Sequence, residues 1–235
     1  GLNLMGLGYL YAGREMNDIA LEYFLQSAAC FEAVHDEKYL SFVAARIAVI
    51  YKEKNDPNAL KWINKGIHSA LLNNDSASYK YNLMKKGEIL FQTNPFESRK
   101  ILLNLWNIHY SGKRLPLFLA YIYNQNNQLD SASIFFDFID KNSLSDVDLI
   151  NYKIVQANLL ERKKDFAQSV TIHKQLYLLR DSLYRVASAN KIKETDARFN
   201  LFEMEKENLS LKMKRDQNFI VILIIGVVFL LIMLQ

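Results

Sequence analysis

Cysteine is almost absent from this chain: Cys30 is the only one, which excludes an intrachain disulfide and a cysteine-rich metal site. Lying among Ala28, Ala29 and Phe31, it reads as a small core residue. Proline and glycine are scarce too, with three and eight copies in 235 residues, so few breakers interrupt periodic segments and a helical protein is expected. No block of one charge sign stands out. The net charge of +4 is spread with both signs mixed, so no basic footprint and no nucleic-acid contact is expected. Enzyme signatures are missing as well: there is no glycine-rich phosphate loop, no His-Glu-x-x-His pair and no Gly-x-Ser-x-Gly elbow. His35, His68, His109 and His173 fall in separate segments and read as surface or seam residues. Asp146 and Asp148 follow Ser145 and read as helix-start residues rather than a working carboxylate pair. No catalytic residue, metal ligand or cofactor site is expected.

What the chain does have is a greasy end. Phe219 to Leu234 reads FIVILIIGVVFLLIML, sixteen residues without a charge, directly after the strongly charged run Glu203 to Asp216. A helix of that length covers about 24 Å, against a hydrocarbon core about 30 Å thick. Helices of water-soluble domains are rarely apolar on every face over this length. A transmembrane helix is therefore expected over 219–234, with a buried or oligomerising helix as the alternative. The chain opens GLNLMGLG, already inside a repeat and without a signal segment, so the native N-terminus, with any export signal, is expected to have been removed or to lie upstream, and the output activity is expected beyond Gln235.

Between these ends the sequence resembles itself. Leu7, Gly8, Tyr11, Ala20 and Phe24 are spaced as Leu119, Ala120, Tyr123, Ala132 and Phe136 are. This spacing resembles the tetratricopeptide repeat, a helix-turn-helix unit with small residues where two helices touch. Weaker copies are Ile47, Ala48, Tyr51, Ala59 and Trp62; Gly87, Leu90, Ser98 and Leu102; and Ala157, Leu160 and Ser169, with His173 in the aromatic place. Helix pairs are expected near 2–33, 37–72, 76–109, 114–141 and 146–180, with turns at Asp56-Pro57 and Asn94-Pro95. One pair cannot bury its apolar face alone, so the pairs are expected to stack as an all-α solenoid over residues 1–182.

From 183 to 218 no glycine or proline occurs, and one long charged helix is expected. Ile192, Phe199, Lys206, Met213 and Ile220 recur every seven residues, and Thr195, Phe202, Leu209 and Asp216 follow the first four by three. This imperfect seam fits either a coiled-coil homodimer or a stalk whose first half caps the repeats.

A stack of this kind presents a groove lined by the first helix of every pair. Aligning the repeats puts Tyr9, Lys52, Gln92, Tyr121, Asn124, Asn158 and Glu161 near that face. Rings beside amides and mixed charges suit an extended peptide, a protein partner or a small polar ligand.

The order of parts, degenerate repeats, then KIKETDARFNLFEMEKENLSLKMKRDQN, then an apolar span, resembles the membrane-anchored tetratricopeptide sensor-regulators of bacteria. That resemblance implies a single-pass inner-membrane protein with a periplasmic repeat array, and an output beyond the span: a cytoplasmic coiled coil, a LuxR-type helix-turn-helix or a kinase. Lys212, Lys214 and Arg215 argue for the opposite orientation, since lysine and arginine excess marks the cytoplasmic side. The function expected is a ligand- or protein-binding sensor region that signals through the stalk and span. The alternative is a tail-anchored scaffold that gathers protein partners at a membrane.

Overall fold

The computed structural model describes the backbone of residues 1–233 and the side chains of residues 1–219. Among these the fold is all-helical. Ten α-helices follow one another: α1 (Leu2–Ala12), α2 (Asn17–Ala33), α3 (Glu37–Glu53), α4 (Asn58–Leu72), α5 (Ser76–Thr93), α6 (Pro95–Asn107), α7 (Leu115–Gln125), α8 (Leu129–Phe136), α9 (Asp146–Arg162) and α10 (Phe166–Met233). A 3₁₀ turn, Lys141–Ser143, precedes α9. The chain divides into two compact units, Gly1–Ala189 and Asn190–Gln235, seven residues later than the sequence boundary at 182. No helix among the described residues is long and apolar enough to cross a membrane. The span expected at 219–234 lies outside them, apart from Phe219 and, for the backbone, the residues up to 233.

The first unit is built by one repeated device. Seven of its helix-to-helix turns pass through a left-handed residue that is never glycine: Glu15, His35, Asn55, Asn74, His109, Asn127 and Lys164, with φ between 52° and 61°. In each, the next residue's N–H reaches back five positions, as from Asp36 to Phe31 (2.9 Å), Asp75 to Ala70 (2.9 Å) and Gln128 to Tyr123 (2.8 Å). This double closure satisfies the carbonyls a helix end leaves open. The residue that closes one helix then opens the next. Asp36 accepts from Tyr39 N at 3.2 Å, and Asp75 accepts from Ala77 N and Ser78 N, both at 3.0 Å. Two connections differ: Asn94 caps α6 ahead of Pro95, and α8 reaches α9 through the 3₁₀ turn.

Packing follows neighbours. Within the pairs α1·α2, α3·α4, α5·α6 and α7·α8 the helices touch along their length, each second helix meets the next first helix, and first helices also touch (α3·α5, α5·α7, α7·α9). That succession is a helical repeat-like architecture of the kind α-solenoids have. The small anchors sit at the closest approaches. Gly8, Ala48, Gly87, Ala120 and Ala157 are buried in the first helices, and Ala20, Ala59, Ser98, Ala132 and Ser169 in the second. A β-carbon on Gly87 would stand 2.6 Å from Leu102 Cδ2. Ser98 Oγ donates to the Gly87 carbonyl at 2.7 Å, which brings α5 and α6 backbone to side chain.

The rings recur with the anchors. Tyr11 stacks on Tyr23 at 5.5 Å and Tyr123 on Phe135 at 5.4 Å, the same twelve-residue step in the first and fourth pairs. Tyr51 packs beside the first core cluster together with Trp62. Phe24 and Ile63 fill the fully buried slot four residues after the second-helix anchor. The slot is therefore Ile63 and not Trp62: Trp62 stands three residues after Ala59, as Tyr23 and Phe135 stand three after Ala20 and Ala132. Phe136 occupies the slot only partly and stacks on Tyr152 at 4.8 Å. In the fifth pair His173 is exposed and Leu176 is buried instead. Cys30, read from its neighbours as a core residue, is exposed. Phe24, Ser27, Ala28 and Phe31 take the inward phase of α2 and turn Cys30 out.

Candidate functional site

Two contacts between successive first helices, α5 with α7 and α7 with α9, share one spacing from the anchors. The residue four places after the anchor in one helix touches the residue one place after the anchor in the next. Phe91 of α5 packs on Tyr121 of α7 with ring centroids 5.0 Å apart, and Asn158 Nδ2 of α9 donates to Asn124 Oδ1 of α7 at 3.2 Å. Tyr121, Asn124 and Asn158 thus fall in one row. Asn124 is 5% exposed, and among the described residues its Nδ2 has no partner, a buried donor left open.

Tyr9 stands at the other end of the row. Its ring lies edge-on to Phe24 at 5.2 Å and under the Arg46 guanidinium of α3 at 5.1 Å. Arg46 Nε donates to Tyr9 Oη at 3.4 Å, and among the described residues no carboxylate lies within ion-pair distance of Arg46. Burial opposes its charge, but the Tyr9 hydroxyl and the nearby Tyr81 phenol favour it and hold its pKa above the ordinary value. Burial pushes the phenols of Tyr81 and Tyr110 up.

The centre of the face carries a buried ionic group that sequence reading missed. Arg114, just before α7, donates through Nη1 to Glu88 Oε2 of α5 at 3.1 Å and through Nη2 to Asp148 Oδ1 of α9 at 2.6 Å. Lys85 Nζ donates to Glu88 at 3.0 Å, and Ser145 Oγ donates to Asp148 Oδ2 at 2.8 Å. Both carboxylates are almost fully buried, and the guanidinium lies 5.0 Å from the Phe118 ring centre. Burial works against the charge on Arg114, yet Glu88 and Asp148 outweigh it and raise its pKa. One cation therefore ties three successive first helices. The sequence signal was faint, because the partners are 26 and 34 residues away. Asp148 does start α9, as its spacing implied: its amide donates to Ser145 Oγ at 3.2 Å.

The remaining expected groove residues scatter. Lys52 is half-buried and Gln92 exposed, and neither makes a side-chain hydrogen bond or ion pair among the described residues. Glu161 turns into its own hairpin, accepting from Ser169 Oγ at 2.8 Å and lying 3.2 Å from His173 Nε2. The Ser169 hydrogen bond, helped by His173, holds its carboxyl below the usual range. Among the described residues no three His, Cys, Asp or Glu side chains gather as metal ligands would.

No protein-family model matches the chain, and no curated protein or solved structure is detectably similar to it.

Proposed function

We propose that residues 1–182 form a tetratricopeptide-like α-solenoid of five helix pairs, and that the chain is the ligand- or protein-binding sensor region of a membrane-anchored bacterial signalling or transcription regulator. The ligand is a protein, an extended peptide or a small polar molecule lying across the first helices. The array is periplasmic, and residues 183–218 relay its state to a single inner-membrane span at 219–234.

One observation carries the reading: the contacts Tyr9–Arg46, Phe91–Tyr121 and Asn124–Asn158 follow one another along the first helices, and the last includes an unmatched buried amide. A buried donor without an acceptor is costly, and a ligand carbonyl or carboxylate at Asn124 Nδ2 would relieve it. Arg46 adds a cation on an aromatic ring, without a carboxylate of its own. The anchor is supported by the uncharged run from Phe219 to Leu234. A ligand shifts such a protein only by binding one of its states more tightly than the other.

Random-peptide display against the full chain in lipid nanodiscs tests the face. The selected peptides should lose about tenfold or more in affinity with Arg46→Ala or Asn124→Ala, equivalent to about 1.4 kcal/mol. Selected binders indifferent to both substitutions contradict the site. Inserting two glycines beside Lys206 tests the relay separately: binding should persist while the response across the membrane is lost.

A further inference from the structure

We infer that residues 190–218 pair with the same segment of a second copy, in parallel and in register, through the seam that begins at Ile192. The first observation is the unit boundary. The repeat unit closes at Ala189, so the seam starts three residues beyond it and none of its positions belongs to the repeats. Along this helix, pairs on its own surface include Lys191–Glu194 at 3.4 Å and Glu203–Lys206 at 4.0 Å.

The second observation is the apolar stripe. Ile192, Phe199, Phe202, Leu209 and Met213 are each more than half exposed. They occupy five of the eight inward positions of successive heptads, with Thr195, Lys206 and Asp216 in the other three. Phenylalanines on adjacent layers, 199 and 202, give the pairing its largest burial.

The third is charge, and it commits the occupant. In a parallel pair, the residue before each first inward position faces the residue five further on in the partner. Those positions set Lys191 against Asp196 and Arg198 against Glu203 of the other copy, and the next two combinations, Glu205 with Ser210 and Lys212 with Gln217, are neutral. An antiparallel alignment about the two phenylalanines sets Lys191 beside Lys212 and Asp196 beside Glu203, like against like, with Arg198 beside Glu205 as its one attractive combination, so the parallel pair has the better charge match. Lys206 at an inward position lies next to Glu205 of the partner in the parallel arrangement alone. The opposite face, with Met204 at its centre, lacks this complementarity. The inference stands on residues 190–218 and is independent of what the repeat unit binds.

Cysteine cross-linking of the full chain in nanodiscs or native membranes tests it, on a Cys30→Ser background that removes the exposed thiol. Thr195→Cys and Leu209→Cys, both inward, should each give covalent dimers, and Met204→Cys on the back face should not. Homodisulfides at both 195 and 209 require parallel copies. Arg198→Glu should weaken dimerisation about tenfold, and adding Glu203→Arg should restore it. Cross-linking at Met204 equal to that at Leu209, a monomer under all conditions, or no rescue by the double charge swap would overturn the inference. The repeat unit's helicity by circular dichroism separates a lost dimer from a misfolded chain.

Discussion

Gly8 of α1 and Phe24 of α2 touch so closely that a β-carbon on Gly8 would stand 2.5 Å from the ring, while Gly6, two residues earlier on the same helix, has nothing within 4 Å. The first anchor is thus a contact between two helices and not a matter of backbone freedom. Gly8→Ala should destabilise the chain by about 1–3 kcal/mol, the usual range for overpacking a core. Gly6→Ala should gain up to about 1 kcal/mol, because alanine is the better helix former. Urea unfolding followed by circular dichroism compares the two.

Arg114 is the cation on which two buried carboxylates depend. Arg114→Met should cost about 3–5 kcal/mol, since it leaves Asp148 without its cation and Glu88 with Lys85 alone. Converting the acids as well, in Arg114→Met/Glu88→Gln/Asp148→Asn, should recover most of the loss. A triple variant no better than the single one in urea would show that the group acts by shape and not by charge.

The left-handed turns store a small strain that glycine would release. His109→Gly should stabilise the chain by about 1 kcal/mol, and Asn127→Val, a branched residue in the same backbone position, should cost about 1–2 kcal/mol. Thermal unfolding midpoints moving in opposite directions are the expected result.

Asp75 links stability to pH. Hydrogen bonds from the Ser78 hydroxyl and the Ser78 and Ala77 amides hold its carboxyl below the usual range. A depressed folded pKa gives stability that is present above the unfolded value, about 3.9, and lost as pH falls through the folded value. Asp75→Ala should therefore cost about 1 kcal/mol at pH 7, and the gap to the native chain should close below about pH 4. Asp75→Asn, which still caps, should lose less at neutral pH.

The helix pairs were legible because small residues recur where backbones must approach, and both Tyr11 and Tyr123 mark first-helix ends. The slot at Ile63 was misassigned to Trp62 because an aromatic looks like an anchor wherever it stands, even one residue short of the inward phase. The left-handed residue inside each turn was not legible, for a different reason: histidine, lysine, glutamate and asparagine all serve there, so no single residue type signals it. On the candidate face, Tyr121, Asn124 and Asn158 could be placed by counting from the anchors. The Arg114 group could not, because its three helices meet only once the stack has formed. Glu161 shows the limit of counting, since Ser169 and His173 draw it into its own hairpin.

The most direct measurement is the partition of the chain between lipid and water. Cells expressing it should retain it in membranes after an alkaline wash, and removal of residues 219–235 should release a folded, helical repeat unit into the soluble fraction. A full-length chain that leaves the membrane in the same wash would contradict the anchored-sensor account, whatever its repeats bind.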